Sequence, residues 1–448
     1  MRIIIVGCGK VGDTLCRQLV SEGHDIVVID SDSQKVSALV DAYDVMGISG
    51  NGASSDIQHE AGIANADLLI ACTPGDELNI ICCAIAKKLG AKETIARVRK
   101  PEYYNLFMSS ELGLSLMVNP EYEAAKEIYR ILNFPGVSKV EEFAEGKLEL
   151  VEYRIPAKSE LLGLALKDFR AKYANNVLVC AAQRDDDALI PGGEFVFEEG
   201  DKVHFAGSPK DVQAFFKTLG ASRGRYKKVM LLGGGKIAFY LAKELSEDIP
   251  YIKIIEKDIN VCRELEDALE NVEVVNADGF DQDILEDEGI ENADAVAALG
   301  EEDEKNIIIS MYAASKKKKV IASIRKDSYI TMLEKMGIDS AISSENLTAN
   351  HIIRYVRALK NHDGGDVRTL IRIDNNKAEV LEFSVNETFE GKNIALKELP
   401  LRKKVLIAGI VRGNDALIPD GSSHIEAGDS VIVVTSLKGV DDLNDILS

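Results

Sequence analysis

A short apolar run, a glycine-rich turn and a helical pattern open this chain, and the same trio returns 226 residues later (233 − 7). Ile3-Ile4-Ile5-Val6 leads into Gly7-Cys8-Gly9-Lys10-Val11-Gly12, and Val229-Met230-Leu231-Leu232 into Gly233-Gly234-Gly235-Lys236-Ile237-Ala238. The register then holds. Asp30 falls on Glu256, Gly50-Asn51-Gly52 is answered by Asn276-Ala277-Asp278-Gly279, and Ala66-Asp67 by Ala293-Asp294. Asp76-Glu77-Leu78-Asn79 matches Asp303-Glu304-Lys305-Asn306, and Arg99 matches Arg325. Further on, Ala188-Leu189-Ile190-Pro191-Gly192-Gly193 matches Ala416-Leu417-Ile418-Pro419-Asp420-Gly421, and Gly200-Asp201 matches Gly428-Asp429. A near-constant offset over the whole length is a tandem duplication. Whatever folds once must fold twice.

Each trio has the order that a phosphate-cradling turn requires. Gly7 permits the tight turn, Gly9 lets backbone approach a pyrophosphate, and Gly12 lets the helix pack on the strand. The helix N-terminus offers unpaired N–H groups and a partial positive charge to an anion. A second apolar run, Ile26-Val27-Val28-Ile29, ends at Asp30, 18 residues after Gly12 (30 − 12). A carboxylate there accepts both hydroxyls of an adenosine ribose and repels a 2′-phosphate. Glycines and a surface acid also occur in plain strand–turn–helix units, but strand, glycines, helix and acid in this order favour nucleotide binding. Ala238 stands where the third glycine would, a replacement the pattern tolerates.

Between the repeats, strands alternate with helical segments: 34–42, 55–61 and 77–89 read as helices, 45–48, 67–72 and 94–98 as strands. A helix from Glu102, a strand over 116–118 and a helix over 121–133 follow. Such alternation means a parallel, doubly wound sheet. Residues 148–219 change texture to short alternating runs with turn signals and little helix, and 219–225 is a polar, glycine-bearing linker. The expected fold is therefore α/β, two Rossmann-like doubly wound sheets, each followed by a small β-rich α+β module. The boundaries are 1–133, 134–220, 226–360 and 361–448.

At 46% hydrophobic and 28% charged residues, 448 residues suit a multi-domain globular protein. No apolar run is long enough to span a bilayer, and Ile3–Val6 runs straight into the glycine loop, so a cytoplasmic protein is expected. A net charge of −21 argues against nucleic acid as a partner. The seven cysteines form no C-x-x-C pair and read as reduced, buried, small hydrophobes. Lys316 to Lys319 reads as a solvated helix end.

Ligand in such folds sits at the carboxyl ends of the parallel strands. In the first copy these ends carry Gly7, Cys8, Gly9, Lys10, Val11, Asp30, Asn51, Thr73 and Pro74. In the second they carry Gly233, Gly234, Gly235, Lys236, Ile237, Glu256, Asp278 and Gly300. Asn51 and Asp278 lie where an adenine edge would, although turn formation alone also selects them. Arg99 and Arg325, just after the fifth strands, could grip a pyrophosphate or a neighbouring subunit as bidentate forks. Catalysis finds no support. The six histidines have no metalloprotease spacing, no G-x-S-x-G elbow occurs, and neither loop continues into a P-loop. Asp185-Asp186-Asp187 reads as a solvated turn, not a metal site, because three consecutive side chains cannot face one cation.

This order of large and small domains, with both glycine loops, Asp30, Gly50-Asn51-Gly52 and the Ala-Leu-Ile-Pro stretches at 188 and 416, resembles the Trk potassium-uptake regulatory family. Its members carry tandem domains that regulate the conductance of potassium (RCK), each an N-lobe and a C-lobe. The resemblance covers essentially the whole chain. It implies a subunit attached to the inner face of the membrane through a potassium-translocating partner of the TrkH type. It also implies NAD(H), and ATP or ADP, as ligands in clefts lined by the glycine loops, Asp30 and Glu256, the strand-four ends and the two arginines, and a ring of RCK domains, a tetramer of this chain. A soluble NAD-dependent dehydrogenase with duplicated cofactor domains is the competing reading. An RCK regulator of another solute channel is a third.

Overall fold

The structure, a computed structural model, describes all residues except 101–102, 104–112, 134–136, 145, 174–175, 185–186, 220–225, 339, 362–366, 374–376, 438 and 441. The start of the helix expected from Glu102, most of the 219–225 linker, and Asp185 and Asp186 lie outside the described residues.

Six parallel strands form the first sheet: β1 (Arg2–Val6), β2 (Asp25–Asp30), β3 (Met46–Ser49), β4 (Leu68–Ala71), β5 (Glu93–Arg97) and β6 (Leu116–Val118). Their order is β3-β2-β1-β4-β5-β6. Chain direction across the sheet reverses between β1 and β4, which opens a crevice at their carboxyl ends. Helices α1 (Lys10–Ser21), α2 (Ser33–Tyr43), α3 (Ser55–Glu60) and α4 (Asp76–Leu89) cover the two faces. Ile3, Ile4 and Ile5 are fully buried because both faces of β1 are covered, which is why that strand is uniformly apolar.

Helix α5 (Pro120–Asn133) leaves this sheet and leads to an antiparallel module. Its strands β7 (Val137–Phe143), β8 (Leu148–Arg154), β9 (Val177–Arg184), β10 (Asp187–Leu189) and β11 (Lys202–Gly207) stand in the order β10-β9-β11-β8-β7. The module begins one strand earlier than its alternating texture suggested. It also holds more helix: α6 (Leu166–Lys172) and α7 (Pro209–Thr218), the latter capped by Ser208, whose hydroxyl accepts from the Asp211 N–H.

The second copy repeats both sheets strand for strand, but among the described residues its closing module has no α-helix to match α6 or α7, only a 3-10 turn at Leu443–Ile446. Strands β12 (Lys228–Leu232), β13 (Tyr251–Glu256), β14 (Val272–Asn276), β15 (Ala295–Ala298), β16 (Lys319–Ser323) and β17 (Ala341–Ile342) take the order β14-β13-β12-β15-β16-β17. Helices α8 (Lys236–Leu245), α9 (Ile259–Ala268), α10 (Gln282–Asp287), α11 (Asp303–Ser315), α12 (Asp327–Lys335) and α13 (Ser344–Asn361) accompany them. Strands β18 (Val367–Ile373), β19 (Ala378–Ser384), β20 (Val405–Arg412), β21 (Asp415–Leu417) and β22 (Ser430–Thr435) form the closing antiparallel sheet. The lysine cluster at 316–319 is more engaged than a solvated helix end. Lys316 pairs with Glu291, and Lys319 donates to the Val137 carbonyl at 3.2 Å and to Ser340 at 2.8 Å.

The halves are not strung side by side. Ala124, Ala125, Ile128, Ile131 and Leu132 of α5 are buried with Leu231, Ala238 and Leu241 of the second sheet domain. Reciprocally, Ala349, Ile352, Ile353 and Val356 of α13 are buried with Ile3, Ile5, Leu15 and Leu19 of the first. Each copy thus completes its core with the other's helix. The antiparallel sheets also share a core, Phe143, Leu148 and Leu150 against Val380, Ile432 and Val434.

Candidate nucleotide clefts

At the first crevice the chain leaves β1 through Gly7 at φ 107°, where a Cβ would stand 2.9 Å from the Thr73 nitrogen. Gly12 is more constrained still: its Cβ would lie 1.9 Å from the Gly7 carbonyl oxygen, so α1 can start this close to the strand only without a side chain. In front of Gly9 there is open space. That is the room a phosphate would need to reach backbone N–H groups. The Cys8 N–H donates to Asp30 Oδ2 at 2.7 Å and the Asp32 N–H to Oδ1 at 2.9 Å. Asp30 is thereby pinned beside the loop with lone pairs to spare. Burial, then Asp30, pushes the Cys8 thiol up to about 12, so it stays protonated and serves as packing. Val11 faces the core and contributes only backbone to the loop, while the Lys10 side chain is exposed.

The far rim is fixed by α4. Asn79 Oδ1 accepts from the Thr73 N–H at 2.9 Å and from its hydroxyl at 2.7 Å, while Asn79 Nδ2 donates to the Thr73 and Arg97 carbonyls at 3.0 and 2.8 Å. Asn51 Oδ1 accepts from the Ala53 N–H at 3.0 Å, the turn bond. The Arg99 fork is engaged within the chain: its guanidinium bonds the Pro74 carbonyl and lies 3.4 Å from Asp76, and its N–H donates to Asp76 at 2.9 Å. Its carbonyl accepts from Tyr240 of α8 at 3.1 Å, so this rim touches the other half.

The second crevice repeats the plan with other residues. Gly233 sits at φ 100°, and Gly235 faces open space. The Gly234 N–H donates to Glu256 Oε2 at 2.7 Å and the Asp258 N–H to Oε1 at 2.8 Å. Glycine is needed at this position, because a Cβ at Gly234 would lie 2.8 Å from Leu265 Cδ1 and 2.9 Å from Glu256 Cβ and Cγ. Cys8 with Asp30, and Gly234 with Glu256, are matched pairs. Gly233, Gly235, Glu256, Asp278 and Gly300 line one cavity of about 300 Å³. Gly234, Lys236 and Ile237 belong to the adjoining loop and helix start. Asp278 both lines the cavity and accepts the turn bond from the Phe280 N–H at 3.0 Å. Arg325 is placed by its N–H, which donates to Asp303 at 3.0 Å; its side chain is exposed and is not on the cavity wall.

Two positions escaped sequence reasoning. Arg97 ends β5 with a buried Nε that has no partner and an Nη1 3.5 Å from the Thr73 carbonyl. The available signal was a cation at the carboxyl end of a strand, directly after Ile95-Ala96. Phe280 is the other; its ring would meet a Cβ on Gly300 at 2.4 Å, so it lies across the end of β15. Its counterpart by position in the first copy is Ala53.

Comparison with known proteins agrees with this architecture. The TrkA-N domain model matches residues 3–120 and 229–344, and the TrkA-C domain model matches 150–220 and 380–448. The Trk system potassium uptake protein TrkA homolog 1 of Methanosarcina mazei is 34% identical, with 97% of each chain covered. TrkA of Haemophilus influenzae is 32% identical over 98% of this chain and 96% of its own. Among solved structures, the GsuK channel covers 97% of this chain and 76% of its own with a TM-score of 0.66, and a GsuK channel bound to NAD does so with 0.64. At 17% identity these two show the fold alone. The duplicated glycine-loop domains, the paired antiparallel modules and the full-length match to potassium uptake proteins place this chain in the TrkA family of tandem RCK proteins.

Proposed function

We propose that this protein is the nucleotide-sensing regulatory subunit of a Trk-type potassium uptake system, docking on a membrane subunit of the TrkH type at the inner face of the membrane. The full-length likeness to Trk uptake proteins is the observation that carries this reading. No described helix is long and apolar enough to cross a membrane, so translocation falls to a partner.

Adenine nucleotides, NAD(H) among them, are the ligands the clefts suit. Open space at Gly9 and Gly235 leaves room for phosphate against backbone N–H groups. Asp30 and Glu256 are held by loop amides, ready to accept a ribose diol, and would repel a 2′-phosphate. NADP is therefore not a ligand at either. The neighbouring structure that holds NAD supports the assignment at the level of fold.

The response is a shift between ring geometries. Since α5 and α13 each sit in the other copy's core, a change in either cleft is felt by both sheet domains. A ligand biases that equilibrium only through its differential affinity for the two geometries. Assembly beyond one chain is supported by exposed apolar side chains at matching places, Ile81 on α4 and Ile308 on α11, with Met311 also exposed on α11 and Met332 and Met336 exposed on and just after α12.

Sensing, and not turnover, is the role we assign to both clefts. NADH bound to the protein should stay unoxidised across a panel of small carbonyl compounds. The experiment that tests the whole reading is potassium uptake in cells lacking this subunit, restored by wild type or by Asp30→Ala with Glu256→Ala. Uptake should fall on deletion, return with wild type, and lose its nucleotide response in the double variant. Normal uptake after deletion would sink the proposal.

A further inference from the structure

The two clefts share a backbone plan but not a charge. In the first, Pro74 and Gly75 form the rim after β4, and Asn51 forms the turn after β3. In the second, the corresponding residues are Glu301, Glu302 and Asp278, and all three line the cavity. Lys305, which replaces Leu78, offsets one of these charges through its 2.7 Å contact with Glu302. Two cations near the first loop are exchanged for Lys305 and Lys257, the latter standing where the first copy has Ser31, so the difference in charge lies in the added carboxylates. Lys35, 3.9 Å from Asp32, gives way to Val261, and Arg97, under the Thr73 carbonyl, gives way to Ser323. The charged wall of the second cavity is thus five carboxylates, Glu256, Asp258, Asp278, Glu301 and Glu302, against the two amines Lys257 and Lys305.

Size points the same way. A cavity of about 300 Å³ is at the lower end for small-molecule sites, and the Phe280 ring closes it over Gly300, where the first copy has Ala53 and Thr73. What the second cavity retains is the ribose acceptor Glu256, one loop position open to phosphate at Gly235, and apolar wall from Val261, Phe280 and Leu299. A pyrophosphate crossing to the far rim would face Glu301 and Glu302, and like charges at close range in a partly dehydrated site are strongly disfavoured.

We propose that the clefts are tuned to different ligands: the first takes polyanionic dinucleotides and di- or triphosphates, whereas the second takes an adenine nucleoside or its monophosphate and discriminates against the larger anions. This rests on the reading of both glycine loops as nucleotide sites. It makes one chain a comparator of two small-molecule signals.

Calorimetric titration of the intact oligomer with NADH and with AMP tests it. NADH should fill one site per chain, lost in Asp30→Ala and kept in Glu256→Ala, while an AMP site should be lost in Glu256→Ala. The isosteric triple change Asp278→Asn, Glu301→Gln and Glu302→Gln should add a second NADH site, at least tenfold tighter than residual NADH binding at the wild-type second cleft. Should that variant misfold, salt dependence in the Asp30→Ala protein replaces it. Residual NADH affinity at the second cleft should rise from about 50 to about 500 mM salt as repulsion is screened. Two equivalent NADH sites in wild type, a triple variant that still binds one, or second-cleft affinity that falls with salt would each overturn the proposal while leaving the clefts as nucleotide sites. Binding of neither ligand to wild type would overturn both.

Discussion

At the scale of single residues, the glycine loops act through what a Cβ would strike. Gly12 faces the Gly7 carbonyl at 1.9 Å from its notional Cβ, whereas Ala238 holds the matching position in the second copy fully buried. Gly12→Ala is therefore expected to cost about 1–3 kcal/mol and to abolish NADH binding at the first cleft. Ala238→Gly should cost about 1 kcal/mol through helix propensity alone. Thermal unfolding with ligand titration separates the two. The loops, Asp30 and Glu256 were legible in the sequence because a strand, a turn and an acid must follow in order. The need for glycine at 234 was not, because it depends on Leu265 and Glu256 converging on that position in the fold. Arg97 was overlooked in favour of Arg99 because only Arg99 repeats, as Arg325, whereas Arg97 is answered by Ser323; the fold shows that Arg99 is engaged by Asp76 and Pro74 while Arg97 keeps a buried donor unpaired.

Elements explain the motifs that chemistry left over. Gly200-Asp201 and Gly428-Asp429 recur because each Asp is almost fully buried and grips an arginine with both oxygens. Asp201 holds Arg184 at 2.8 Å twice, and Asp429 holds Arg412 likewise. Each also accepts from a turn N–H, of Glu198 and Glu426. Asp201→Ala should destabilise the first antiparallel module by about 1–2 kcal/mol, read by chemical denaturation, since it removes the buried acceptor of the Glu198 N–H and of two guanidinium bonds while Arg184 keeps Glu198 and the Val196 carbonyl. Helix α5 carries a pH dependence. Glu127 is buried, and burial first, then Glu141, raises its carboxyl to about 7, with Arg130 and Lys139 opposing. The folded state then holds a proton that the unfolded chain releases at lower pH. Stability attached to that proton is complete below the ordinary carboxylate range and is lost as pH rises through about 7. Glu127→Gln should flatten that fall, a gain of order 2 kcal/mol at about pH 8. Glu149, raised likewise to about 7, keeps part of the slope in place.

For the whole molecule, the duplication was plain from the offset, but the exchange of α5 and α13 was not. Both helices have the apolar periodicity of any covering helix, and nothing local says whose core they enter. Their reciprocal burial predicts that residues 1–225 expressed alone will not persist as a monomer. Two copies should pair by exchanging α5, with light scattering giving twice the chain mass. A stable monomer would show that the exchange is dispensable. The same interlock makes the protein suited to report on ligands, because neither sheet domain can shift its packing without the other. The most direct measurement is potassium flux into proteoliposomes carrying a TrkH-type membrane subunit and this protein, recorded as NADH and ATP are varied at fixed potassium. Flux should change severalfold with nucleotide for wild type and stay flat for Asp30→Ala with Glu256→Ala. Flux that ignores nucleotide while the ligand is demonstrably bound would contradict the account.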